Sequence, residues 1–457
     1  MIKNTAQLIE NVEDETLQRL RHDACIILVS ALKAVDPKEA ILNALTLKGD
    51  VLSFNGGSID LSGISRIFVV GGGKAGSLMT RAIESILGNR ITGGIVNVIN
   101  GTEKAVKVNK VELWGASHPI PCSEGEKGVD RMLDMTNGLT KRDLVISLIS
   151  GGGSALMSYP ASGISLSDLQ ETTNLLLMSG SNINELNAVR KHLSGFKGGQ
   201  FARHVAPARM LNLILSDVIG DPLDTIASGP TAPDDSTFVE ARNVLEKYGL
   251  LEKLPENVLE RINSGLNGIY PETPKRDDPI FDGVFNLVIA NNLKAAQSAK
   301  QTAEGLGYNP MILSTYIEGE AKQVGKMFAG IAREEHFSGL PLPKPAAIII
   351  GGETTVTVNG GGKGGRNQEV ALGAIQKMNG LNAVLATLGT DGIDGPTDAS
   401  GAIVDGKSLD RALSLGLDPD SFLKENDAYS FFDGLNDLIF TGPTGTNVND
   451  LSVVLVR

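Results

Sequence analysis

Short unbroken apolar runs recur along the chain, most of them ending in glycine or a polar turn and followed by apolar positions three and four residues apart. The runs at 66–70, 144–149, 211–215, 285–290, 346–350, 383–388 and 451–456 predict strands, and 77–87, 123–135, 167–178, 291–304 and 367–378 carry helical spacing. A strand with no polar face is one covered on both sides, which points to parallel sheets. Alternation of the two patterns over the whole length predicts an α/β protein. The pattern lapses at 263–282, where Gly, Pro and charged residues replace apolar ones as they do in linkers. The expected domains are therefore 1–275 and 276–457.

Composition sharpens this picture in one respect. The chain has 54 glycines in 457 residues, well above the usual share of roughly 7%. There is no glycine at every third position, and the glycines sit in short clusters between apolar runs, so collagen and low-complexity sequence are excluded. Turns at which backbone approaches something closely remain. Lys and Arg number 41 against 53 Asp and Glu, a balance of −12 that argues against general binding of nucleic acid or anionic membrane. Cys25 and Cys122 make neither a metal-ligand spacing nor a disulfide framework. Acids at Glu10, Glu13, Asp14 and Glu15 stand where a leader would be basic, and no apolar run is long enough to span a bilayer. A cytoplasmic protein is expected; nothing in the chain sets its oligomeric state.

The glycine clusters carry the candidate chemistry. In RIFVVGGGKAGSLM, a strand passes through Gly71, Gly72 and Gly73 into a helix, and Gly71, Gly73 and Gly76 satisfy the dinucleotide pattern G-x-G-x-x-G. The acid that would hold a ribose diol is missing after the next strand, which ends near Asn97 and Asn100. Lys74 stands in the turn instead, adding positive charge to a helix start that already suits phosphate or carboxylate. An ordinary β–α turn with a surface lysine is the other reading. LVISLISGGGSALMS repeats the idea: Ser150, Gly151, Gly152, Gly153 and Ser154 offer backbone amides and hydroxyls to a phosphate without the Walker A spacing.

The third cluster, GGETTVTVNGGGKGGRNQEVAL, places Glu353 at the end of a strand and closes on Arg366 and Asn367 at a helix start, where an arginine is electrostatically disfavoured unless an anion is present. Asp217 and Asp391 follow predicted strands, at the end of a sheet where α/β proteins bind ligands. Either can hold a divalent cation or accept a hydroxyl proton, and either can be a turn residue. His118 in SHPIP and Arg190 in NAVRKHLSG are further polar candidates, with turn formation and a solvated helix end as the alternatives.

GGGKA, SHPIP, LISGGGSAL, NAVRKHLS, LSDVIGD, ASGPT, GGETTVTV, GKGGRNQE, GTDGIDGPTDASGA and TGPTGTNVNDL resemble, in order, the motifs of class II glycerate 2-kinases, whose C-terminal part is called the MOFRL domain. The resemblance runs from about residue 15 to the end of the chain, with one mild departure at Ser117, where the family often has glycine. It implies two α/β domains, the first Rossmann-like with a mainly parallel sheet and the second a smaller α/β/α domain (MOFRL), with the active site in the cleft between them. It also implies transfer of the ATP γ-phosphoryl group to the 2-hydroxyl of D-glycerate with Mg²⁺ or a similar cation. Lys74 and Arg366 match invariant positions and are expected to hold the transferring phosphate and the glycerate carboxylate, in an order left open. Gly71 to Gly73 and Ser150 to Ser154 are expected to bind nucleotide phosphates, and His118, Arg190, Glu353 and Asn367 the substrate. Asp217 and Glu353 are candidates for metal or base, and Asp391 is the other candidate for accepting the 2-hydroxyl proton. Older use of the name hydroxypyruvate reductase for this family keeps an NAD(P)H-dependent reductase as the alternative, and a non-catalytic metabolite-binding protein is a third.

Overall fold

The computed structural model describes residues 1–457. Its strands in chain order are β1 (Leu45–Lys48), β2 (Val51–Phe54), β3 (Gly57–Asp60), β4 (Arg66–Gly72), β5 (Gly93–Ile99), β6 (Val111–Ala116), β7 (Asp143–Ile149), β8 (Arg209–Leu215), β9 (Val284–Ala290), β10 (Asn309–Glu320), β11 (Ala346–Thr355), β12 (Ala383–Gly389), β13 (Gly401–Asp405), β14 (Leu438–Ile439) and β15 (Asp450–Val456). All seven apolar runs are strands, and the five helical stretches are helices to within a residue at either end. The chain forms two compact units, a continuous one of Pro37–Ile289 and a split one of Met1–Asp36 with Ala290–Arg457.

The continuous unit holds a sheet of order β6-β5-β4-β7-β8-β9, with every pair from β6 through β8 parallel, and a small antiparallel meander of β1 to β3. Strand residues are buried on both faces because helices cover both. Phe68, Val70, Ile95, Val145 and Met210 pack with Val129 and Met132 of helix Ser123–Met135 and Phe201 of helix Gln200–Val205, while helix Gly76–Leu87 packs on β4, β5 and β7. Four further helices enclose a satellite core that includes Leu176, Val189, Phe238 and Ile262.

The split unit holds a mixed sheet of order β10-β11-β15-β12-β13-β14. Only β10 and β11 run parallel; the other pairs are antiparallel. The expectation of parallel strands fails here because an unbroken apolar run reports burial on both faces, not strand direction. Helices Ala321–Ser338 and Arg366–Met378 pack together against Ile348, Ile350, Leu385 and Val454, and helices Glu15–Ala34 and Asn292–Gly305 pack together on the sheet as well.

These contacts move the expected boundary. Residues 276–289 stay with the continuous unit because β9 completes its sheet. Residues 263–282 are not a free tether: the Lys275 ammonium donates to the Asp234 carbonyl and Thr273 hydroxyl at 3.0 Å each, and Glu272 accepts from Phe238 N at 3.0 Å. The first 36 residues belong to the split unit because Arg21, fully buried, donates to Asp405 of β13 at 2.6 Å and to Asp437 at 2.7 Å. No helix is long and apolar enough to cross a membrane.

Candidate active site

In the continuous unit β4 and β7 lie side by side, and the chain leaves them in opposite directions, β4 toward β5 and β6, β7 toward β8 and β9. Such a reversal opens a crevice at the carboxyl ends of the two strands, where α/β proteins bind ligands. The two glycine turns of the sequence occupy those two ends. They are stitched together: Lys74 N donates to the Gly151 carbonyl at 2.8 Å, and Ala75 N to Ser150 Oγ at 3.1 Å. Gly73 has φ +150°, and a side chain there would overlap Ser150 Oγ, so the lysine-bearing turn closes only with glycine.

Three predicted residues gather around the second turn. A Cβ on Gly151 would overlap the carboxylate of Asp217, which follows β8 and therefore abuts the turn after β7. A Cβ on Gly152 would stand 3.2 Å from both His118 Nε2 and Lys74 Cγ. Burial, and then the Lys74 charge, push the His118 imidazole below its usual pKa, so the ring favours its neutral form. Ser154 lies one turn further on. Its hydroxyl accepts from Arg190 Nη2 at 2.6 Å and from the Lys197 ammonium at 3.1 Å, and Lys197 also donates to the Ser154 carbonyl at 2.6 Å. Burial pulls Arg190 down to about 10, and burial together with Arg190 pulls Lys197 well below the usual lysine range.

The dinucleotide pattern is complete only in its glycines. At the end of β5, where an acid would grip ribose, the buried Asn97 amide donates to the Gly125 carbonyl at 3.0 Å and the Leu156 carbonyl at 2.8 Å. It is a strut from the strand to the two helices Ser123–Met135 and Gly153–Leu156.

In the split unit the site grows from the start of helix Arg366–Met378. The Asp394 carboxylate accepts from Asn367 N at 3.0 Å and Gln368 N at 2.9 Å, satisfying amides that the first helical turn leaves open. Arg366 precedes these amides and is held by two carboxylates, donating from Nη1 to Glu353 at 2.7 Å and from Nε to Asp450 at 3.0 Å. Burial works against its charge, but Asp450 and Glu353 more than offset this and raise its pKa. Burial pushes the Asp450 carboxyl up to about 7 against the pull of Arg366. Asn367 ties the cluster to the sheet: its amide donates to Asp450 at 2.9 Å, and its oxygen accepts from Thr387 Oγ1 at 2.8 Å. Arg366, Asp391 and Asp394 line an open cavity of 670 Å³ whose walls include the turn Gly362, Gly364 and Gly365. Asp391 is itself half-buried, its carboxylate accepting from Ile393 N at 3.1 Å.

Within each unit, then, the predicted residues cluster: Lys74, Ser150, Gly151, Gly152, Ser154, His118, Arg190 and Asp217 in one, Glu353, Arg366, Asn367 and Asp391 in the other. A sequence reading misses Lys197 and Asp450. Lys197 stands before a glycine pair and Asp450 ends the amide-rich TNVND, weak signals without the fold.

A family model described as a domain of unknown function, DUF4147, matches residues 23–263, and the MOFRL family model matches 346–450. The chain is 43% identical over 427 residues to a glycerate 2-kinase of Pyrococcus horikoshii, covering 93% of this chain and 95% of the relative. It is 38% identical over 433 residues to a protein of Agrobacterium vitis named putative hydroxypyruvate reductase, covering 94% and 93%. A crystal structure of glycerate kinase from Thermotoga maritima superposes with a TM-score of 0.87 at 40% identity, covering 96% of this chain and all of that one.

Proposed function

We propose, for a chain that belongs to the MOFRL family of glycerate kinases, that it phosphorylates the 2-hydroxyl of D-glycerate with ATP to give 2-phosphoglycerate and ADP. Beyond the family, the observation that carries this reading is Lys74 in the turn after β4, at a switch point whose neighbouring strand β5 carries Asn97 near its end and contains no acid. That arrangement suits phosphate and lacks what a nicotinamide dinucleotide requires. The name hydroxypyruvate reductase carried by the Agrobacterium vitis relatives has no counterpart in this geometry.

Phosphoryl transfer requires positioning and charge neutralisation more than covalent chemistry. In the proposed reaction the 2-hydroxyl oxygen bonds to the γ-phosphorus as the bond to the ADP oxygen breaks, and a carboxylate takes the hydroxyl proton. Asp391, half-buried in the cavity beside Arg366, is assigned this proton. Lys74 and Arg366 hold the transferring phosphate and the glycerate carboxylate. The amides of the turn at Gly151 to Gly153, with Gly71 to Gly73 behind them, carry the nucleotide phosphates, and neutral His118 donates a hydrogen bond there. Mg²⁺ is commonly held by one or two carboxylates together with substrate phosphates. Asp217, against the turn at Gly151, fits that role, and the cation would neutralise phosphate charge. Glu353 fits it less well because Arg366 already engages it. A cytoplasmic location belongs to the same proposal.

The test is to supply ATP, Mg²⁺ and D-glycerate and couple product directly to enolase. Signal without a phosphoglycerate mutase is expected. Signal only after adding the mutase would place the phosphate on the 3-hydroxyl, and oxidation of NAD(P)H by hydroxypyruvate in place of either would restore the reductase.

A further inference from the structure

The other buried lysine of the continuous unit has its counter-charge within reach. Lys191, 3% exposed, lies 3.1 Å from Asp224 and 3.2 Å from Asp234. Arg190 and Lys197 differ. Both point at one hydroxyl, that of Ser154, and no carboxylate pairs with either. Lys197 is 1% exposed, and Arg190 Nε is buried with no acceptor at all. Two cations sharing one neutral oxygen in a dry environment is an arrangement that an anion would relieve.

The hydroxyl itself is held ready for them. Ser228 Oγ donates to Asn187 Oδ1 at 3.0 Å, so its hydrogen is committed. The 2.9 Å contact between the Ser154 and Ser228 hydroxyls therefore takes its hydrogen from Ser154. That leaves the Ser154 lone pairs for Arg190 and Lys197. Ser228 is brought there by a costly backbone: Ala227 and Ser228 have φ of 51° and 60°, left-handed values that non-glycine residues seldom adopt. Strained backbone thus orients one hydroxyl, which in turn aims two cations that no carboxylate pairs.

We propose that Arg190 and Lys197, joined through Ser154, bind one anionic oxygen group, a phosphate of the nucleotide or the carboxylate of glycerate. The choice of ligands rests on the kinase reading; the geometry does not. Lys197 enters here as a ligand-binding residue beside Arg190, and Ser154 and Ser228 as positioning residues.

Calorimetric titration of inorganic phosphate and, separately, of D-glycerate into the full chain tests this without turnover. In Lys197→Met and in Arg190→Gln, one of the two anions is expected to bind at least tenfold more weakly than in the wild type while the other stays within twofold. The anion that weakens identifies its source. If both anions bind folded variants within twofold of the wild type, the site does not exist and Lys197 is a strut for the Ser154 carbonyl, visible only in Tm. Failure of the wild type to bind either anion would also overturn it. Should Lys197→Met not fold, Arg190→Gln, on the half-buried member, decides alone. Wild-type anion binding that Lys197→Met weakens, together with a silent enolase assay, would leave this site standing and remove the kinase reading.

Discussion

Arg190 and Arg366 are both half-buried arginines beside glycine-bearing turns, and their surroundings are opposite in sign. Arg366 is gripped by Glu353 and Asp450, and its direction is fixed before any ligand arrives. Arg190 shares a hydroxyl with a second cation. A cation that carries its own counter-charges gains less from an anion but loses nothing in orientation. One without them depends on the anion for its charge balance. The same residue type is therefore a fork preset by two acids in one unit and a cation set beside a second cation in the other.

The largest effects should come from removing the two cations that match the family. Lys74→Ala and Arg366→Ala are each expected to lower kcat/KM roughly 10²- to 10³-fold, as when one donor to developing negative charge is removed. They should part company in stability. Lys74 has no ion pair within the protein, so urea denaturation should be unchanged in its variant. Arg366→Ala strands the buried Asp450 and should cost about 2 kcal/mol, less than for a wholly buried pair because Arg366 keeps 31% exposure. Equal stability in the two variants would mean that Glu353 and Asp450 do not depend on Arg366 for their charge balance.

Much of this was legible before the fold. Strand ends at Gly71 to Gly73 and Ser150 to Ser154 announce themselves because close backbone approach demands glycine, and the order of apolar runs names the α/β class. Lys74 and Arg366 stand out as charges placed where a helix start repels them. What escapes is set by distance along the chain. Lys197 meets Ser154 across 43 positions and Arg366 meets Asp450 across 84, and no local pattern records such pairings. Placement of the first 36 residues depends on Arg21 finding Asp405, 384 positions away. Strand direction in the split unit is equally silent, since an apolar run is the same read either way.

The next effect in size concerns Asp450. Its folded pKa of about 7 lies above the ordinary aspartate value of about 3.9. Between those values the folded chain keeps a proton that the unfolded chain releases, so stability falls as pH rises through this window. Asp450→Asn removes the titration. Relative to it, the wild type should lose stability of order 3 kcal/mol from pH about 4 to about 7 and level off only above pH about 8. The pH dependence of urea midpoints for the pair measures this. Parallel profiles would mean that Arg366 holds Asp450 ionised throughout, making the pair an ordinary salt bridge.

The smallest effect separates two roles for Glu353. Its side chain is 42% exposed and its bond to Arg366 is a rim contact, so Glu353→Gln should change stability by less than about 1 kcal/mol. If Glu353 serves only to aim Arg366, the glutamine, which still offers an oxygen to Nη1, should raise the KM for one anionic substrate two- to fivefold. The Mg²⁺ concentration giving half-maximal rate should not move. If Glu353 is a metal ligand, that concentration should rise tenfold or more while both substrate KM values hold at saturating Mg²⁺, since an amide oxygen is a far poorer partner for a hard cation than a carboxylate. The geometry favours the first result, because the Glu353 carboxylate is already engaged by Arg366 Nη1 at 2.7 Å, where a guanidinium and a divalent cation would compete for the same oxygen.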